Sequence, residues 1–146
     1  MTTLVHASIM SDARTKLPEL LDQVAAGVPT LISRRGKGDA ILASADIWRQ
    51  ITRPYEVHID YLPDEETGGW ALWIPELRLH AEGVTLDEAR ADLVAVVRDY
   101  TAHYLSESPR LQLVQDRAAE LLYVLRLWLA KDDTELARLL FTSTAG

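Results

Sequence analysis

The chain has 146 residues, 48% of them hydrophobic, no cysteine and a formal net charge of −7. That length holds one medium domain or two small ones with enough apolar side chains for a core, and the lack of cysteine excludes disulfide frameworks and thiolate metal sites. No run approaches the about 18 consecutive apolar residues of a membrane span, and no basic start leads into a signal-peptide core, so a cytoplasmic protein without a membrane partner is expected.

In chain order, Thr3 to Met10 alternates and predicts a short opening strand. A helix follows from Ser11, with Leu17, Leu20, Leu21 and Val24 recurring at helical spacing as one apolar face. Ser11 can cap it, Asp12 suits the positive end of its dipole, and Gly27 can stop it. Pro18, one turn inside, removes the bond to the Arg14 carbonyl and predicts a kink or an uncapped first turn. The short apolar runs Pro29 to Ser33 and Ala40 to Ala43 flank Arg34, Arg35, Gly36, Lys37 and Gly38, a hairpin with a basic tip. Ser44 then caps a short helix to Ile51, and Arg53-Pro54 ends it, which places a module boundary there.

A strand, the S-D-A-R of Ser11 to Arg14, a leucine-patterned helix and a hairpin with an R-R-G-K turn occur in this order over residues 3 to 50. The combination resembles the Phd/YefM family of bacterial antitoxins, and the resemblance implies a dimeric DNA-binding module. Guanidinium groups fork onto phosphate oxygens or guanine edges, and glycines let a turn approach a backbone closely. The candidate DNA-binding residues are therefore Arg14, Arg34, Arg35 and Lys37, with Ser11 and Thr15 as helix-start hydrogen-bond donors to phosphate. A symmetric dimer would double these contacts and read a palindrome. The bland alternative is a solvated, charged hairpin tip.

Beyond Pro54 the pattern changes. Tyr55, Val57, Ile59 and Tyr61 alternate with Glu56, His58 and Asp60 as a half-buried strand, and the acidic turn Pro63 to Gly69 leads into a second strand. There Trp70, Leu72 and Ile74 share one side and Trp73 takes the other. Pro75 closes it, and Leu77 to Ala81 predicts a third, edge strand ended by Gly83. Thr85 and Glu88 form a T-x-x-E capping box for a helix whose apolar stripe is Leu86, Ala89, Leu93, Val96, Val97, Tyr100 and Tyr104. The motifs Ile74-Pro75-Glu76-Leu77 and Gly83-Val84-Thr85-Leu86-Asp87-Glu88-Ala89 resemble the HicB antitoxin family over residues 55 to 105. That family resembles a nuclease fold without its catalytic set, so the resemblance implies a module that is not an enzyme.

From Pro109 the chain reads as helical, with Leu111, Val114, Ala118, Leu121, Leu122, Leu125 and Leu129 on one face and Tyr123, Val124, Leu127 and Trp128 widening it. Leu121, Tyr123, Val124, Leu127 and Trp128 are the candidates for toxin binding or an oligomer seam, the bland alternative being internal core. Asp132 and Asp133 start a last short helix. The cluster His58, Asp60, Asp64, Glu65 and Glu66 could be imagined as a metal or acid–base site, but it reads as a polar strand face and an acidic turn, with no metal-ligand spacing or nucleophile motif.

The charge is unevenly placed. Residues 1 to 53 carry seven Lys/Arg against five Asp/Glu, and residues 54 to 146 carry eight against seventeen. A basic head can meet DNA while an acidic body meets a basic protein.

The fold class expected is α+β: a Phd/YefM-like αβ dimerisation and DNA-binding module over 1 to 53, a HicB-like ββ(β)α module over 54 to 107, and C-terminal helices over 108 to 146. The function expected is a type II antitoxin that represses its own operator as a dimer, or a higher even-numbered oligomer, and neutralises a small basic toxin. It would use no cofactor, metal or catalytic residue. The alternatives are a stand-alone DNA-binding regulator and a metal-dependent nuclease using His58 or Asp60.

Overall fold

A computed structural model describes residues 6–9, 15–34, 36, 38–106 and 119–142. The architecture is α+β, with five helices and two three-stranded sheets among the described residues. Two compact units divide between Ile51 and Thr52.

The first unit carries strands β1 (His6–Ile9), β2 (Thr30–Arg34) and β3 (Gly38–Leu42) in that spatial order. β1 runs parallel to β2 with Ile9 opposite Ser33, and β2 and β3 form an antiparallel hairpin with Arg34 opposite Gly38. Helix α1 (Leu17–Ala25) fills the crossover. Thr15 is helical and Lys16 breaks the path. Pro18 then falls in the first turn of α1, where its missing N–H breaks no helical bond, and α1 starts with no side-chain cap, as Pro18 led us to expect. The cap expected at Ser11 lies outside the described residues. Gly27, at φ 97°, turns the chain out of α1.

The apolar face read for α1 is split. Leu20 and Val24 are buried, Leu20 against Ile32 and Leu42, whereas Leu17 and Leu21 are 43% and 50% exposed. A helix on a three-stranded sheet can turn only part of a wide stripe inward. Helix α2 (Ala45–Thr52) is capped by Ser44, whose Oγ accepts from the Ile47 N–H at 3.2 Å.

The second unit has a sheet of β4 (Asp60–Pro63), β5 (Trp70–Ile74) and β6 (Leu79–Gly83), all antiparallel. The strand expected from Tyr55 enters the ladder only at Asp60. Just before it, the His58 backbone N–H donates to Glu76 Oε1 at 2.8 Å, a side chain standing where a neighbouring strand would. The burial alternation holds from Val57, buried, through His58, exposed, to Ile59, partly buried, and is lost in β4, where all four residues are exposed, Tyr61 by 38%. The acidic turn is held by Asp64, whose carboxylate accepts from the Glu66 N–H, and by Gly68 at φ 74°.

Helix α3 (Leu86–Ser106) crosses β6 and β5. Thr85 Oγ1 accepts from the Glu88 N–H, and Glu88 reaches back to the N–H of Val84, one residue before the usual target of a capping box. Gly83 has no room for a side chain, since a Cβ there would stand 2.3 Å from the Ala89 nitrogen. The end of β6 and the start of α3 are thereby in backbone contact. Ala89, Leu93, Val97 and Tyr104 face the sheet as expected, but Thr101 is buried and Tyr100 only partly.

Helices α4 (Leu121–Trp128) and α5 (Asp133–Phe141) pack on α3 and share one core with the sheet, including Leu72, Ile74, Leu77, Val124 and Leu136. Each such side chain contributes about 1.5–3 kcal/mol on burial. Asp132 caps α5 by accepting from the Glu135 N–H at 2.8 Å. The helical face read at Leu111, Val114 and Ala118 lies outside the described residues.

Candidate functional site

The basic tip is positioned by the sheet of the first unit. Because β1 and β2 are parallel, the chain leaves β1 at Ile9 beside Ser33, at the same end of the sheet where β2 delivers Arg34. Ile9 precedes Ser11 by two residues and Arg14 by five. The topology thus puts the end of β1 at the hairpin end of the sheet, whereas an antiparallel pairing would have put it at the opposite end. Gly36 and Gly38, at φ 75° and 81°, make the turn in conformations that a side chain resists. Arg34 ends β2 opposite Gly38. Thr15 is exposed, whereas Ser11, Arg14, Arg35 and Lys37 lie outside the described residues.

This unit leaves much apolar surface uncovered. Leu17, Leu21, Val28, Ile41 and Ile51 are all exposed, Ile41 by 58%. Ile41 pairs with Leu31 across the hairpin, on the face opposite Thr30, Ile32 and Leu42. Units of this size bury too little surface to be robust alone, and apolar patches of this kind mark association.

The candidates on α4 divide. Val124 and Leu127 are fully buried in the core of the second unit, so in this fold neither side chain reaches a partner. Leu121 and Tyr123 are partly buried against the same core, with Tyr123 edge-on to Tyr55 at 5.4 Å between ring centroids. Trp128 remains 49% exposed.

The ring of His58 is hydrogen-bonded to a carboxylate on another segment, that of Glu76. The His58 ring Nδ1 lies 2.7 Å from Glu76 Oε2, and this hydrogen bond, with the charge of Glu76 behind it, raises the imidazole pKa above 6.5. Asp64 is held below its ordinary value by the N–H of Glu66 and by Thr67, which suits a fixed turn anion. Among the described residues no group of three or more His, Asp or Glu could hold a metal ion.

Two arrangements escaped the sequence reading. Glu120, 4% exposed, receives the Tyr100 hydroxyl and Arg78 Nη2, tying α3, the β5–β6 turn and the start of α4 together. Arg78 adopts φ 57° in that turn, uncommon for a residue with a side chain. Nothing local in the sequence marks this partnership across 42 positions. The second is the outer face of the β4–β5–β6 sheet, carrying Leu62 and Trp73. The strand alternation had already separated Trp73 from its neighbours.

Comparison with known proteins places this geometry. The family described as PHD_like, antitoxin of toxin-antitoxin, RelE/RelB, TA system, matches residues 4–142. The fold is similar to the crystal structure of a Syntrophomonas wolfei subsp. wolfei protein described as an antitoxin part of a toxin/antitoxin system. That match has a TM-score of 0.78 at 15% identity and covers 93% of this chain and 96% of the other. No curated protein matches the chain.

Proposed function

Since the chain belongs to the PHD-like family of antitoxins of RelE/RelB-type toxin–antitoxin systems, we propose that it binds its own operator as a dimer through the first unit and neutralises its cognate toxin through the second. The first unit is read as Phd/YefM-like and the second as HicB-like. The chain acts by binding and not by catalysis, and it works in the cytoplasm.

The observation that carries the DNA-binding half is the parallel β1–β2 register, which starts the segment leading to Ser11 and Arg14 at the end of the sheet where Arg34 enters the basic turn. Cations from two sequence-distant segments then serve one phosphate-facing edge, and a two-fold copy supplies a second edge for the other half-site. The exposed Leu17 and Leu21 on α1 offer a seam for that copy. Ser11 and Thr15 add hydroxyl donors to phosphate.

The test is an electrophoretic shift of the fragment upstream of the gene with the full chain and its Arg34→Ala/Arg35→Ala/Lys37→Ala variant. The wild type shifts the fragment with a steep salt dependence, each phosphate contact adding about 0.9 to the logarithmic slope. The variant loses the shift. Unchanged binding and an unchanged slope contradict the assignment.

A further inference from the structure

The inner side chains of the second sheet, among them Leu72, Ile74 and Ala81, form a core with α3. The outer side chains form two registered rows, Leu62–Ala71–Glu82 and Asp60–Trp73–His80. Among the described residues, no element of this unit covers those rows: α3 lies on the inner side, and α4 and α5 pack on α3. Leu62 is 54% exposed and Val84, just past β6, 74%. At the turn end of the face lies an open depression of about 370 Å³, whose lining includes Asp64, Trp70, Ala71, Glu82 and Val84. Two carboxylates there flank apolar walls, a shape suited to the aliphatic stem and charged head of a lysine or arginine.

The charge on this stretch selects the occupant. Residues 54 to 89 carry nine Asp/Glu and one Lys/Arg, Arg78. Arg78 is paired with Glu120. A second copy docked face to face would set carboxylate against carboxylate, a juxtaposition that disfavours pairing, whereas a basic protein meets complementary charge around an aromatic and aliphatic centre.

We propose that the outer face of the β4–β5–β6 sheet is where the basic toxin docks, with Leu62 and Trp73 as its apolar centre and Asp60, Asp64 and Glu82 receiving lysine and arginine side chains. This rests on the antitoxin reading above and makes it specific, placing the contact on the sheet and not on α4.

The test expresses the full chain with the product of the adjacent reading frame, scores growth, and measures affinity between the purified proteins at low and high salt. The Leu62→Arg/Glu82→Lys variant alters two exposed side chains; its thermal melt and operator shift report whether the fold is intact. The expected result is an affinity loss of tenfold or more, on the order seen when central or charge-paired interface groups are reversed, with growth protection lost and operator binding kept. Asp99→Lys, an equal charge reversal at an exposed position on α3, stays within about threefold of wild type. Should a folded Leu62→Arg/Glu82→Lys protein bind as wild type does, or should Trp128→Ser be the change that abolishes binding, the sheet face is not the docking site while the antitoxin reading stands. Should the wild type itself neither bind nor protect, the toxin pairing falls, and this proposal with it.

Discussion

The two units solve the problem of a small core in opposite ways. The second gathers one core from three strands and three helices, with Leu72, Ile74, Leu93, Val97 and Val124 fully sealed. In the first, among the residues whose side chains are described, Leu20, Val24 and Ile32 are buried and five large apolar side chains stay outside. The difference fits the roles proposed above. A unit that closes its own core can present a polar, acidic surface to a partner, and exposed apolar side chains on the other suit pairing with a second copy. The charge balance follows the same division, slightly basic over residues 1 to 53 and strongly acidic over residues 54 to 146.

The sharpest way to break this comparison is to cut both cores alike. Leu93→Ala should destabilise the second unit by about 2–5 kcal/mol, the range for a sealed leucine, while Leu20→Ala in the thinner core falls at or below the lower end of that range. Urea unfolding followed by amide exchange, resolved residue by residue in each unit, measures both. Equal losses would mean that the first unit is as well packed as the second.

Less drastic is a change on the open face. Leu17→Asp with Leu21→Asp puts two charges on exposed apolar positions of α1 without touching the buried set. Sedimentation velocity should show a dimer for the wild type and a monomer for this variant, with operator affinity falling because half of the contacts are lost. A variant that sediments like the wild type removes the seam from the account.

The smallest effect sharpens the closed unit. His58 pairs with Glu76, and the pairing raises its pKa above 6.5. The raised value means that the stability the pair contributes is fully present below the unfolded value and fades as pH rises through the folded one. Glu76→Gln should bring the ring titration, followed by NMR, back toward 6.5, and should lower the melting temperature more at about pH 5 than at about pH 9. The His58 N–H bond to Glu76 Oε1 does not titrate with the ring, so part of the loss persists at all pH.

Much of this division is legible in the residues. Local signals placed the hairpin at Gly36 and Gly38, the caps at Ser44, Thr85 and Asp132, and the stripe through Ala89, Leu93 and Val97, because each rests on neighbours a few positions apart. What local signals could not give was set by distant partners. The stripe on α1 does not say which of its leucines meets a strand, and the breadth of the apolar face on α4 does not say that the unit's own sheet and helices consume Val124 and Leu127. The partner of the His58 N–H just before β4 is Glu76, eighteen positions away. For the proposed DNA edge, the sequence supplies the cations, and the parallel pairing of β1 with β2 brings the end of β1 beside the strand that leads to Arg34.

The central claim is that two surfaces on two units carry two separable bindings. The most direct measurement takes the Arg34→Ala/Arg35→Ala/Lys37→Ala and Leu62→Arg/Glu82→Lys proteins through both the operator shift and the toxin-binding assay. A crossed result is expected: the first loses DNA and keeps the toxin, and the second loses the toxin and keeps DNA. If either folded variant loses both bindings, or the losses are exchanged, the division of labour between the units is contradicted.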